Sequence, residues 1–433
     1  MTGQATLRPA GVGTNLAWLV QQLWEREEQA GRVRVSIDGT VPPGFRPVER
    51  FVVVPNLGRA RFLIPLRSRR AASAATARYN ALRPLRVRFP RAVIGAGMRA
   101  GLAQRLLHDR LVVCVADDTD PAVLPRLLLG AHLRDLLGGQ EVAMAIGIGD
   151  AAPNRKPTLQ LFAPDGRALG YAKLGWNELT RHLVRNEARA LRSCAEHRLR
   201  RLGVPRLLAC SCWNGLELAV TAPLPNGVRR HRPPGRVPPL DVTREIAELH
   251  GVRSQLLLAS SYWANVRRLV AEHRAAGDPR LGPALERYQG FLERRCAATT
   301  LTFGSWHGDW VPWNLAWEGA RLFAWDWEHS GEEAPLGFDL LHWHFQLAFI
   351  GERRSPSAGI ARCLRDGVPQ LVRLGVAEPA ARDSAAIYLL ELVLRAARMN
   401  AMGAGWNPRF YPEVLSVLAA QEAAGGAGQR DLA

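Results

Sequence analysis

The sequence predicts an α+β protein of two lobes, one β-rich and one helical, with an extra α/β region at the N-terminus. Three observations carry that prediction. Between residues 141 and 226, short apolar runs alternate with Gly, Pro and Asn-Gly or Asp-Gly signals, the pattern of successive hairpins. From residue 241 onward apolar residues recur mainly at helical spacing. Inside that helical stretch, residues 306–328 read WHGDWVPWNLAWEGARLFAWDWE, a tight hairpin with several chemically capable side chains at its open end.

At 433 residues and 47% hydrophobic content, the chain has material for more than one core, and its length suggests two or three domains. The formal charge is +18, and among the 57 basic residues only Lys156 and Lys173 are lysines. A solvated arginine surface accounts for this charge better than a nucleic-acid or membrane patch, although the sign favours anionic ligands. The six cysteines form no CxxC pair and have no matching His spacing, so they read as buried thiols rather than zinc ligands or disulfides. No leader opens the chain and no arginine-free apolar run is long enough to span a bilayer, so a cytoplasmic protein is expected.

Residues 1–135 offer strands at 51–55 and 61–65 around Asn56-Leu57-Gly58, a helix over 69–82, a strand at 111–116 and a helix at 124–137. The basic run from Arg67 to Arg91 reads first as solvated helix surface. From residue 136 a strand-rich lobe is expected to run to 226. Strands at 142–148 and 158–162 flank a polar stretch that opens with Gly147 and Gly149, where backbone N–H groups can approach a phosphate closely. Asp165-Gly166 turns the chain into a strand at 169–174 bearing Lys173, and a helix over 178–197 carries Glu187. In a chain that otherwise uses arginine, a lysine on an apolar strand suggests a need for a compact ammonium, held by a glutamate and aimed at nucleotide phosphates. Two further strands, 204–212 and 216–222, run into a Pro/Gly segment, which places the backbone of Ala222 and Leu224 to bond an adenine edge. Residues 229–239 read as a basic, proline-rich linker without structural preference. Helices are expected over 241–276, with Asp241 as N-cap, and over 283–297, before a strand at 299–306.

The hairpin of residues 315–317 and 321–325 brings the residue entering its first strand, Asn314, beside the residue leaving its second, Asp326. An amide oxygen and a carboxylate are hard ligands suited to Mg²⁺. Asp309, just upstream, is placed to accept a proton from, or orient, an attacking hydroxyl. Six tryptophans crowd this stretch, and Trp343 lies beyond it. Packing explains most of them, while Trp310 and Trp313 in the loop are candidates to stack on a sugar or a cation. Helices are expected at 340–349, 359–374, 382–402 and 411–421, with the helical lobe spanning 227–425 and a frayed tail beyond.

From about residue 141 to 400 the chain resembles the aminoglycoside phosphotransferase and choline kinase group of the protein-kinase-like fold. HGDWVPWN followed by WDWE resembles that family's catalytic segment and its D-x-E metal motif, and Gly331, Pro335 and Asp339-Leu340 continue at its spacing. The resemblance implies Asp309 as catalytic base, Asn314 and Asp326 as Mg²⁺ ligands, Lys173 and Glu187 as the phosphate-binding pair, His307 as a structural loop member and Glu328 as an assistant to metal or acceptor. Gly308 stands where protein kinases usually carry arginine, and only 12 residues separate Asp326 from Asp339, leaving no room for a peptide-docking segment. The expectation is therefore an ATP- and Mg²⁺-dependent phosphotransferase acting on a small-molecule hydroxyl such as a sugar, an aminoglycoside-like compound or an amino alcohol. The alternatives are a catalytically weak kinase-like module that recruits a partner through its N-terminal region, and an arginine-rich nucleic-acid binder.

Overall fold

The computed structural model describes residues 12–78, 85–102, 107–149, 154–231, 237, 239–276, 278–411 and 413–430. It is a mixed α+β structure of two compact units. The first comprises Met1–Ala188 and Pro205–Leu224, and the second Arg189–Val204 and Pro225–Ala433.

The first unit is built on one sheet of nine strands. Its members are β1 (Val33–Ser36), β2 (Phe45–Val54), β3 (Phe62–Pro65), β4 (Arg110–Ala116), β5 (Ala143–Gly147), β6 (Thr158–Phe162) and β7 (Ala168–Gly175), joined by Leu207–Trp213 and Leu216–Thr221. The last two are β9 and β10 in chain order, and the spatial order is β1-β4-β2-β3-β5-β6-β7-β10-β9. The strands alternate as a two-layered sheet requires: Phe51 and Val53 face one cluster of buried residues, and Val52 between them faces another. Helix α1 (Thr14–Gln29) covers the first face with Leu16, Leu19, Leu23 and Trp24, recurring at helical spacing. The short helices α4 (Leu124–Leu127) and α5 (Leu129–Leu136) pack on the same side, through Leu127, Leu128, Leu129 and Leu133. Helices α2 (Arg69–Arg78) and α3 (Leu85–Ala100) lie over the other face, with Ala72 and Met98 against Val52 and Ile64. Helix α6 (Glu178–Glu196) follows β7, and its Val184 and Ala188 pack on Ala219.

The expected strands match closely, and the Asn214-Gly215 turn has positive φ at both residues, 48° and 80°, as a two-residue hairpin loop requires. The division expected at residue 135 falls inside this unit, because β3 and β5 pair directly at Phe62↔Gly147 and Leu63↔Ile146. The helix expected over 69–82 is present over Arg69–Arg78, and 79–84 lie outside the described residues. The sequence reading passed over α3, which contains Pro90 in its interior.

The second unit contains β8 (Leu202–Gly203), β11 (Arg229–Arg230), β12 (Arg253–Leu256), β13 (Thr300–Trp306), β14 (Leu315–Glu318), β15 (Arg321–Ala324) and β16 (Gly331–Pro335), arranged as β11-β14-β15-β8 and β12-β13-β16. Its helices are α7 (Leu240–Ala247), α8 (Ser261–Ala276), α9 (Leu281–Arg295), α10 (Phe338–Gln346), α11 (Pro356–Arg362), α12 (Val368–Arg373), α13 (Glu378–Met399) and α14 (Glu413–Arg430). Their core gathers Trp263, Tyr288, Phe338, Leu341, Tyr388 and Leu390, with α13 buried along most of its length.

Four expectations change here. The helix expected over 241–276 is interrupted by β12, which pairs with β13. Asp241 sits in the first turn of α7 rather than at its N-cap, which is Pro239, and its carboxylate pairs with Arg201. Of the linker over 229–239, Arg229–Arg230 is a strand paired with β14, while 232–236 and 238 lie outside the described residues. The tail expected to fray continues as α14 to Arg430. Among the described residues no helix is long and apolar enough to cross a membrane.

Leu19 is fully buried under the sheet, so Leu19→Ala is expected to cost about 2–5 kcal/mol in equilibrium denaturation. Phe89 on α3 is 71% exposed, and Phe89→Ser is expected to stay within about 0.5 kcal/mol.

Candidate active site

β14 and β15 pair from Leu315↔Ala324 to Glu318↔Arg321, the register expected of the hairpin. At its open end Trp325 N–H donates to Asn314 C=O at 3.2 Å, so Asn314 and the residue before Asp326 are joined by a ladder bond. Asp326 then adopts a left-handed conformation, φ 64° and ψ 53°, uncommon for a residue with a side chain. A carboxylate oxygen of Asp326 and one of Glu328 lie within 4.8 Å of each other.

The loop between β13 and β14 is held by Asp339, in the first turn of α10. Its buried carboxylate accepts the His307 N–H at 2.8 Å and the Gly308 N–H at 2.9 Å. Burial pushes this carboxyl up to about 6, although both N–H bonds and Arg395 act to lower it. Gly308 has φ +79°, and a Cβ there would lie 2.0 Å from the His329 carbonyl. The position therefore excludes every other residue type, and this is the physical reason that no arginine stands there. Arg395 of α13 closes the loop from below, donating to Gly308 C=O at 2.5 Å and stacking 4.9 Å from the Trp306 ring centroid.

The ring of His307 is a fixed spacer. Its Nδ1 accepts the Asp309 N–H at 3.2 Å and its Nε2 faces the Trp325 carbonyl at 3.0 Å, which assigns the proton to Nε2. Burial lowers its pKa to about 4, against the opposing pull of Asp309. Asp309 has both carboxylate oxygens engaged: Oδ2 accepts Asn314 Nδ2 at 2.8 Å, and Oδ1 accepts His342 Nε2 at 3.2 Å. Burial alone would raise this carboxyl, but the hydrogen bond from His342 and the surrounding histidines outweigh it and hold the group below the usual carboxylate range. His342, fully buried on α10, is itself lowered by burial, so it stays neutral and donates through Nε2 while Nδ1 accepts from Tyr388 O–H at 2.8 Å.

Asn314 Nδ2 donates to both the Asp309 carbonyl, at 3.1 Å, and the Asp309 carboxylate. Its Oδ1 is thereby committed as an acceptor. Asn314 Oδ1 and the carboxylates of Asp326 and Glu328 are hard-oxygen donors of the kind Mg²⁺ takes, and the two carboxylates lie close to one another. Trp310 is 0% exposed and packs edge-on to His307 at 5.4 Å, so it is loop core and unavailable to stack on a ligand. Trp313 is half-buried.

In the first unit, Lys173 lies on β7 in register with Thr158 and Ala219. Its Nζ meets both carboxylate oxygens of Glu187, at 2.8 and 2.7 Å, with Glu187 buried on α6. Gly147 ends β5, paired with both Phe62 and Thr158, and Gly149 has φ +71°. Residues 150–153 of the expected phosphate loop lie outside the described residues. The far side of that loop is anchored by Arg155, which stacks 3.9 Å from the Trp18 ring centroid and donates to Asn15 at 3.0 Å, while its carbonyl accepts Trp176 Nε1. Ala222 N–H is already donated to Arg206 C=O at 2.8 Å.

Sequence reasoning missed His342, Tyr388, Arg395 and the α1 anchor. His342 alone had a signal, standing three residues after Asp339 on one helix, where i and i+3 share a face.

No family model and no curated protein matches the chain. Solved structures that match include small-molecule kinases. They include aminoglycoside phosphotransferase APH(4)-Ia, at 10% identity and TM-score 0.46 over 69% of this chain and 98% of that one. A choline/ethanolamine kinase family protein from Mesorhizobium loti matches at 19% identity and TM-score 0.39, over 64% of this chain and 86% of that one. A glucosamine kinase matches at 15% identity and TM-score 0.35, over 73% and 88%. At these identities and scores the function has to be argued from the residues themselves.

The His307 ring is expected to remain neutral, as the Nε2–H tautomer, down to about pH 4 in an NMR titration; a midpoint near 6.5 would contradict the assignment. Because its folded pKa lies below the unfolded value, His307 contributes about 3 kcal/mol above pH 6.5 that is lost as the pH falls toward 4. Asp339 acts in the opposite sense, contributing stability below about pH 4 that is lost as the pH rises through about 6, so the two largely cancel between pH 4 and 6.

Proposed function

We propose that this chain is an ATP- and Mg²⁺-dependent phosphotransferase that transfers the γ-phosphoryl group to a hydroxyl of a small molecule. The observation that carries this reading is the setting of Asp309, an ionised carboxylate fixed at both oxygens by Asn314 and a neutral histidine, in a loop whose next residues lead to a hard-oxygen ligand set. A carboxylate so held does not have to reorganise to receive a hydroxyl. It orients the acceptor O–H and takes its proton as the oxygen bonds to the γ-phosphorus and the bond to the ADP oxygen breaks.

Asn314 Oδ1 and Asp326 are the residues to hold Mg²⁺, with Glu328 beside them. When bound, that ion neutralises the charge on the phosphate oxygens. In the first unit Lys173 supplies the ammonium for the nucleotide phosphates, and Glu187 keeps it extended and charged. The N–H groups around Gly147 and Gly149 suit phosphate oxygens, and Ala222 C=O with Leu224 N–H suit the adenine edge. Ala222 serves through its carbonyl, since its N–H is engaged.

The acceptor is a small molecule, namely a sugar, an aminoglycoside-like compound or an amino alcohol. The 12 residues between Asp326 and Asp339 are taken up by a single turn and β16, leaving no segment for a peptide to dock on. All six cysteines are free, which suits the reducing cytoplasm.

Asp309→Asn is expected to lower turnover about 10²–10⁴-fold against a panel of sugars, aminoglycosides and amino alcohols while leaving the Kd for ATP unchanged. Undiminished turnover in that variant rules the mechanism out. His342→Ala is expected to lower kcat about 10- to 100-fold without changing KM for ATP, since it removes only the orientation of Asp309. A change confined to KM would show that His342 has no positioning role.

A further inference from the structure

In the first unit the sheet opens at one end. β2 pairs with β3 as far as Phe51↔Pro65, and β3 pairs with β5 only at Phe62↔Gly147 and Leu63↔Ile146. Leu66 N–H still donates to Arg50 C=O at 2.7 Å, but Pro65 has no N–H to carry β3 further along β5, so a gap opens between β2 and β5 where β3 ends. The gap is a cavity of about 520 Å³, within the range of small-molecule sites. Phe51, Leu128 and Met144 give it an apolar floor, and Gly130 and Ala131 of α5 form one wall.

β2 carries a bulge at this point: its register with β4 runs Pro47↔Cys114 and then Glu49↔Val113, leaving Val48 as the extra residue. A bulge re-aims the side chains around it. Here Val48 packs on the core below α1 and α5, and Glu49 also turns toward α5, where its carboxyl accepts the Gly130 N–H. A Cβ on residue 130 would lie 2.2 Å from Glu49 Oε1, so the approach depends on glycine. Glu49 Oε2 is enclosed and has no hydrogen-bond partner, a costly arrangement for a buried polar atom unless something else completes it. Burial pushes this carboxyl up to about 7, against the Gly130 N–H and Arg67, so near neutral pH it offers an O–H to an acceptor. Arg46, Arg50, Arg67 and Arg134 line the cavity, and among the described residues the one other acid lining it is Glu141, whose Oε1 accepts from Arg67 at 3.0 Å. The lining therefore carries a surplus of guanidinium charge over an apolar floor.

We propose that this cavity is a binding site for a small organic anion with a short apolar body, its acidic head between the arginines and Glu49 and its body on Phe51, Leu128 and Met144. A cation is disfavoured by the four guanidinium groups, and a bare inorganic anion would leave the apolar floor uncovered. The site is independent of the phosphotransferase reading.

Octanoate is the probe, with octanamide as its neutral counterpart, on the full chain with ¹³C-methyl-labelled methionine. Of the five methionines only the Met144 methyl is expected to shift with octanoate, saturably. The variant R50E/R134E, changed at two exposed positions and checked for fold by circular dichroism, is expected to weaken octanoate at least 10-fold. The proposal is overturned if the Met144 signal does not move up to 10 mM (about a thousand-fold above a 10 μM site), if octanamide binds equally well, or if the folded variant binds octanoate as the wild type does.

Discussion

The buried carboxylate of Asp339 is the constraint on which the second unit's chemistry depends. It takes the N–H groups of two successive residues, His307 and Gly308, from a loop that has no ladder of its own to satisfy them. Leaving those donors unpaired in a buried setting would cost about 1–3 kcal/mol each, so the loop has one low-energy path. Everything beyond follows from that path: the left-handed turn at Gly308, the arginine drawn to its carbonyl, and the direction in which Asp309 leaves the strand.

A second feature is that the two side chains hydrogen-bonded to Asp309, Asn314 and His342, carry no formal charge. The histidines nearest to it, His307 and His342, are both driven toward neutrality by burial, and each uses a definite tautomer to present an acceptor or a donor. An ionised carboxylate held by neutral donors stays charged and oriented toward an incoming hydroxyl, at the cost of some basicity. The tryptophans serve this arrangement by excluding water. Trp310 and Trp327 pack against the His307 ring, and Trp306 shields the arginine beneath the loop.

Much of this was legible in the residues because the signals were local. A Gly-containing turn between two apolar runs specifies a hairpin, and a hairpin specifies which residues meet at its mouth, so the register of this one and the Asn314–Trp325 bond follow from spacing alone. Lys173 stood out through the rarity of lysine, and the nearby helix supplied Glu187 as its partner. What could not be read was set by pairings distant in sequence. His342 is unremarkable until Asp309, 33 residues earlier, is folded beside it, and the partner of its other nitrogen, Tyr388, lies on a different helix. α3 was hidden by Pro90 and its glycines, whose local preferences are overridden by packing on the sheet. Whether Trp310 packs or stacks on a ligand was open for a related reason, since composition does not distinguish a ring facing a ligand from one facing its own loop.

The nine-stranded sheet has a further meaning for the N-terminal residues. β3 pairs with Ile146 and Gly147 of β5, covering part of a side where a run of small and apolar residues, AMAIG, would otherwise present unsatisfied N–H and C=O groups. Such an edge is a template for strand addition by another copy of the chain. β1, β2, β3 and β4 displace that edge outward, to β1, a strand of four residues with arginine at its second position. The N-terminal strands thus leave a short, arginine-bearing strand as the sheet edge on that side in place of β5.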